Sequence, residues 1–229
     1  HVNLKGDKYM PRFLNVTCVT ALMALVVSGP LDAQLGGRPA EQWALVLESG
    51  RRLGSLEIEN VVSLIGIEEG QVVADLGAGT GVFSVPLARA AGTTGTVLAV
   101  EVDAGFLPMI DEKARQAGLE NVQSVLGEFT DPNLPRRDVD VAFFHDVLHH
   151  IDERQSYLLA VASYMAPGSR MVVVDYDMNQ PGVPHGNQPE MLISPQQVAE
   201  WMANAGFVVS REVDLFEEKF FVIYTKVDQ

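Results

Sequence analysis

Short apolar runs bounded by glycine or proline alternate with stretches that repeat apolar residues at helical spacing, so the chain reads as alternating strands and helices. Val72, Val73 and Ala74 form the first buried strand, and Phe83, Leu87, Ala88 and Ala91 mark the helix behind it. After the turn Gly92-Thr93-Thr94-Gly95 comes a second strand, Thr96 to Val100. A helix from Gly105 to Ala117, closed by Gly118, leads to a third strand, Asn121 to Leu126. Asp138 to Phe144 is the fourth strand, Glu153 to Met165 a helix, and Arg170 to Val174 the fifth strand. Ser194-Pro195 caps the last helix, Gln196 to Ala205, and two strands follow, Val208 to Leu215 and Lys219 to Lys226. Upstream, Pro39 and Ala40 open a helix carrying Trp43, Leu47 and Leu53 on one side, and a second helix runs from Leu56 to Ile65. Trp43 is expected to fill core rather than touch a substrate. No internal repeat or second folded domain shows in this pattern.

The densest signal lies between the first strand and its helix. Asp75 ends the strand, and Gly77, Gly79 and Gly81 recur at alternate positions. Alternate glycines let the chain turn sharply and bring bare backbone against a ligand, while the helix start brings unpaired N–H groups to the same point. A tight turn with no ligand is the alternative, although three glycines after an acid exceed what a turn needs. In open α/β sheets this crevice is where ligands bind. The dinucleotide pattern G-x-G-x-x-G requires a small third residue, but Val82 or Ser84 stands there.

Asp75-Leu76-Gly77-Ala78-Gly79-Thr80-Gly81 resembles the first motif of class I S-adenosylmethionine-dependent methyltransferases, and further landmarks follow in order over roughly residues 61–227. The resemblance implies an α/β, Rossmann-like fold: a seven-stranded, mostly parallel sheet with a terminal antiparallel hairpin and helices on both faces. It implies S-adenosyl-L-methionine as cofactor, with Asp75, Gly77, Ala78, Gly79 and Gly81 forming its loop. Glu101, at the end of the second strand beside Val102, would accept from the ribose hydroxyls, since a carboxylate offers two oxygens to a diol; a solvated strand-end charge is the alternative. Asp103 is expected to cap the next helix. Gly127-Glu128-Phe129 resembles the family's "Gly-Asp-Ala" element, which places Glu128 and Phe129 at the adenine. Glu replaces the commoner Asp there. Ala166-Pro167-Gly168-Ser169 resembles the "LKPGG" turn ahead of the fifth strand. N-terminal helices of this family often lie over the cofactor.

The fourth strand delivers His145-Asp146-Val147-Leu148-His149-His150-Ile151 to the cleft. The run "LHHI" before an acid resembles the small-molecule methyltransferases at this position. Four ionisable side chains within six positions suit either a metal or acid–base work. No carboxylate–histidine spacing matches a metal motif, so no metal is expected. His145, Asp146 and His149 are the candidate catalytic residues, and His145 is also a candidate cofactor contact; His150 is expected to be buried and hydrogen-bonded. The Pro/Gly-rich segment from Tyr176 to Ile193, with His185, reads as a substrate lid farther along the sheet. A sulfonium methyl is already activated, so the reaction implied is direct in-line displacement onto a small-molecule acceptor. A non-catalytic nucleotide-binding module and a different Rossmann-type enzyme are the alternatives.

The chain has 229 residues, and its formal net charge of −14 argues against a nucleic-acid partner. Residues 1–9 precede the first methionine and read as a non-native leader. From Met10, a basic residue (Arg12), an apolar run from Phe13 to Val27 and the exit Leu31-Asp32-Ala33 have the layout of a secretory signal peptide. This divides the chain into residues 1–33 and one domain at 34–229, with 34–70 a helical cap, and implies a periplasmic or secreted protein. A cytoplasmic protein with a buried or amphipathic N-terminal helix is the alternative. Membrane contact is expected only through an uncleaved segment. Cys18 is the only cysteine, so cleavage would leave none. Intact-mass measurement on protein from its native host is expected to find a chain starting near Gln34; a cytosolic chain that retains Cys18 overturns this.

Overall fold

The computed structural model describes His1 and residues 38–228. The predicted signal segment, Cys18 and the expected start at Gln34 lie outside the described residues. Within them, no helix is long and apolar enough to cross a membrane.

Seven strands form one sheet: β1 (Val72–Leu76), β2 (Thr96–Glu101), β3 (Val122–Leu126), β4 (Val139–His145), β5 (Met165–Tyr176), β6 (Phe207–Val213) and β7 (Lys219–Lys226). Their order is β3-β2-β1-β4-β5-β7-β6. The first five strands pair in parallel, and β7 runs antiparallel to both β5 and β6. This is the predicted mostly parallel sheet with a terminal antiparallel hairpin.

Helices cover both faces. On one face α3 (Ile58–Ile65) and α4 (Ser84–Ala91) pack through Val61, Ile65, Leu87 and Ala88 against Val73, Val97, Val141 and Val172. On the other, α6 (Arg154–Ala162) and α7 (Pro195–Asn204) bury Leu158, Val161, Val198 and Met202 against Ala74, Leu98, Phe144 and Val173. Side chains of a strand alternate between faces, so residues of one parity share a layer. Val73, Val97 and Val141 fix the layer of Asp75, Glu101 and His145, two or four positions on. The register supports this alignment, with Asp75 opposite both Ala99 and Phe143. One face of three neighbouring strands therefore delivers two carboxyls and an imidazole to the carboxyl edge.

Several expected boundaries shift. The single helix expected to carry Trp43, Leu47 and Leu53 is two, α1 (Ala40–Leu47) and α2 (Gly50–Ser55), because the chain breaks at Glu48-Ser49. Glu57, at φ 48°, makes the next break before α3. Asp103 does not cap a helix: its Oδ1 accepts from the Gly105 N–H at 2.9 Å, and α5 (Leu107–Gln116) begins later, with Pro108 in its first turn. Strand β5 starts at Met165 rather than Arg170, taking in the Ala166–Ser169 turn through a register shift against β4. The cap of α7 is as predicted, a reciprocal pair in which the Ser194 Oγ accepts from the Gln197 N–H and the Gln197 Oε1 accepts from the Ser194 N–H. Ser194→Ala is expected to cost about 1 kcal/mol, read as a lower urea midpoint at unchanged slope; an unchanged midpoint would show that α7 is held by packing alone.

Candidate active site

The carboxyl edges of β1, β2 and β4 open into a cavity of about 350 Å³. Asp75, Gly77, Ala78, Gly79, Glu101, Val102, Glu128, Phe129, His145, Asp146 and His149 all line it, as do His150 and His185. Gly81 does not; its bare face turns toward Ile110 on α5. Trp43, Val46 and Leu47 on α1 cover the cavity, so Trp43 is a half-buried rim residue instead of the core filler expected from sequence.

Gly77, at φ 72°, and Gly79, at φ 55°, occupy left-handed backbone that favours glycine. Their missing side chains point at protein: a Cβ at Gly77 would overlap Val147, and one at Gly79 would lie 3.3 Å from Leu47. The loop N–H groups also differ from expectation. Those of Gly77 and Ala78 both donate to the Val100 carbonyl at 2.9 Å, and that of Gly81 donates to the Ala78 carbonyl. The Gly79 N–H donates to Glu101 Oε2 at 2.9 Å, while Glu101 Oε1 accepts from Val102 at 2.8 Å. These amides are satisfied internally and do not cradle a phosphate. What the loop presents instead is a positioned carboxylate.

Burial pushes the Glu101 carboxyl up against the backbone donors that pull it down, and Asp103 adds to the rise. Burial likewise pushes Asp75 up to about 7, against the Ser84 hydroxyl that donates to it at 2.6 Å and with the help of Glu101. Among the described residues, none of the groups that shift these two acids is a cation. They are therefore set to receive positive charge from a ligand. A sulfonium cofactor without phosphates fits this end of the cavity on both counts. Glu128 and Phe129 stand exposed at its rim.

The other end is built differently. Burial would raise Asp146, but His145 and Lys219 outweigh it and hold the carboxyl below its usual range. Lys219 Nζ lies 2.9 Å and Arg52 3.7 Å from its oxygens. Asp146 is thus a fixed anion and a weak base. His145 sits against Phe83 at 4.6 Å between ring centres, and burial lowers its pKa against the upward pull of Asp146. His149 is held by Asp175: the Nδ1 lies 2.6 Å from Oδ1, and the His149 N–H donates to Oδ2 at 3.2 Å. His150 is not buried as expected. Its ring is exposed yet crowded by surrounding protein and by His149, which together push its pKa down to about 4. His185 is not remote either, since its ring centre lies 5.2 Å from that of His149.

Sequence reasoning missed Asp175, Lys219, Arg52 and Leu47 as parts of the site. Asp175 was visible as a strand-end acid, but its pairing with His149 required the β4–β5 register. Nothing in the sequence marks Lys219 as the partner of Asp146.

A family described as "Methyltransferase domain" matches residues 67–210. The ubiquinone/menaquinone biosynthesis C-methyltransferase of Citrobacter koseri is 29% identical over 112 residues, 48% of this chain and 45% of that protein. The match thus spans about half of this chain and somewhat under half of the curated relative. Among solved structures, a SAM-dependent methyltransferase from Aquifex aeolicus matches with a TM-score of 0.73 and 26% identity, over 83% of this chain and all of that one. The magnesium protoporphyrin IX methyltransferase of Synechocystis, solved with bound S-adenosylhomocysteine, shares the fold with a TM-score of 0.65 and 17% identity, over 81% and 93% of the two chains.

The Asp75 pKa has a measurable consequence. A carboxyl raised from 3.8 to about 7 contributes stability that is full below the lower value and is lost as pH rises through the higher one. The wild-type urea midpoint is expected to fall between about pH 4 and about pH 7, and Asp75→Asn to flatten that fall. Equal slopes for the two proteins would place the titrating proton elsewhere. The internally satisfied glycine loop, the cation-seeking acids and the family match converge: this chain belongs to the methyltransferase-domain family, whose cofactor is S-adenosylmethionine.

Proposed function

We propose that the protein transfers the methyl group of S-adenosylmethionine to a small-molecule acceptor by direct in-line displacement. The observation that carries this reading is the Glu101 carboxylate on the Gly79 N–H beside buried Asp75, in a cavity that continues without a break to the histidine end.

Glu101 would accept from the ribose hydroxyls with the lone pairs its backbone donors leave free, while Glu128 and Phe129 flank the adenine end. Asp75 and Glu101 supply the negative field for a cationic cofactor. The cofactor supplies an activated methyl group, so the chain's remaining tasks are alignment and exclusion of water. Leu47 on α1 and Val147, just after β4, serve both by closing against Gly79 and Gly77 of the glycine loop. Buried His145, with Phe83, Phe143 and Phe216 around it, forms a wall of rings beside the reacting centre. His149, oriented by Asp175, presents its Nε2 lone pair at the acceptor end. The cavity and its enclosing helix α1 suit a small molecule, in line with the family resemblance of the "LHHI" run.

Calorimetry is expected to show binding of S-adenosylmethionine and of its demethylated product, and none of NAD. Glu101→Gln is expected to weaken cofactor binding by roughly tenfold or more, the worth of a hydrogen bond to a charged group. Unchanged affinity in that variant, or NAD bound as tightly, would defeat the assignment. Mass-spectrometric screening with labelled cofactor then identifies the acceptor.

A further inference from the structure

The histidine end holds a feature that methyl transfer does not by itself require. His149, His150 and His185 bring one ring nitrogen each within 4.8 Å of one another. Two of the rings have fixed tautomers. The Asp175 carboxylate accepts from His149 Nδ1 at 2.6 Å and is itself held by the Tyr176 N–H at 2.8 Å, so the His149 lone pair is on Nε2. Gln188 Oε1 accepts from His185 Nδ1 at 3.0 Å, leaving His185 Nε2 free as well. A histidine whose far nitrogen donates to a buried carboxylate is the usual outer support of a metal ligand. The His185 backbone, at φ 64°, is left-handed without being glycine, and Arg154 ties its loop down by donating to the Glu190 carbonyl at 2.8 Å.

We propose that His149, His150 and His185 bind one divalent transition-metal ion of the zinc class, with an open coordination position toward the cavity for a heteroatom of the methyl acceptor. An all-imidazole set disfavours magnesium and calcium, which take oxygen ligands, and suits zinc or cobalt. Bonds of about 2.0–2.1 Å would bring the three nitrogens to roughly 3.3 Å apart. Rotation of the exposed His150 ring and the half-buried His185 ring closes that gap while His149 stays on Asp175. Sequence gave no metal because the third ligand lies on a loop after β5, outside any short spacing.

The use of the open position rests on the methyl-transfer reading; ion binding does not. An acceptor hydroxyl or thiol bound there gives its proton to solvent, because the ion lowers its pKa. Its oxygen or sulfur then forms the bond to the methyl carbon, and the electron pair of the broken methyl–sulfur bond stays on the cofactor's sulfur.

The full chain, stripped with a chelator, is titrated with Zn²⁺ by calorimetry and with Co²⁺ by visible absorption. One ion per chain and tetrahedral Co²⁺ bands are expected. His185→Ala, on an exposed loop, is expected to weaken Zn²⁺ binding by at least roughly tenfold, and Asp175→Asn by roughly 10–100-fold, with thermal melts confirming that each variant is folded. No saturable ion binding by the wild type, or equal Zn²⁺ affinity in wild type and the folded His185→Ala variant, overturns the site. Cofactor binding by the same wild-type sample is measured separately: one Zn²⁺ bound without cofactor upholds the site and defeats the methyl-transfer reading.

Discussion

The bond from the Gly79 N–H to Glu101 ties together everything at the cofactor end. It joins the loop after β1 to the tip of β2, and the same carboxylate takes the Val102 N–H with its other oxygen. The geometry is available only because Leu76 pairs with Val100, which places Glu101 one step beyond the end of β1. A one-residue slip of β1, β2 or β4 would turn Asp75, Glu101 or His145, respectively, to the opposite face, since strand side chains alternate. The continuous burial of β1 and β4 makes that slip costly, for it would drive a carboxyl into the layer formed by Leu98, Phe144 and Leu158. The core thus fixes the site through parity.

Two electrostatic regimes share one cavity. Asp75 and Glu101 are buried without a cation and rise in pKa, whereas Asp146, beside His145 and paired with Lys219, falls. Lys219 is itself buried, with its ammonium 4.8 Å from the Tyr176 ring centre, so the Asp146 pair is a closed unit with little left to offer a substrate. The two buried acids that lack a cationic partner therefore stand at the glycine-loop end. The histidine end offers neutral lone pairs instead, and this division assigns the cationic donor and the acceptor to opposite ends.

The strands and most helix positions were legible because apolar period and glycine punctuation are local signals, with β7 read to the residue, while the mostly parallel sheet came from the family resemblance. The glycine loop was legible because its spacing is also local, and the family resemblance singled out Glu101 at the end of β2. Illegible was everything that depends on register or on a long loop. Trp43 reads as core by composition, yet it lies at the rim on α1, a helix that ends at Glu48-Ser49. His185 lies 35 positions beyond His150 in sequence, and only the course of the segment after β5 brings the rings to 5.7 Å between centres. The loop amides were misread for a related reason: the partner of the Gly77 and Ala78 N–H groups, the Val100 carbonyl, belongs to the neighbouring strand.

The asymmetry of the cavity also bears on turnover. Methyl transfer from a sulfonium leaves a neutral thioether, so Asp75 and Glu101 face less positive charge after the reaction than before it. Because burial already holds both acids toward their protonated forms, the loss of an ionic partner raises them further and favours proton uptake. Asp75, poised at about 7 without a ligand, is the group that responds within the physiological range. Ser84 can follow this change, since its hydroxyl both donates and accepts at the start of α4. On the methyl-transfer reading, the glycine-loop end would thus hold the charged donor more tightly than its neutral product.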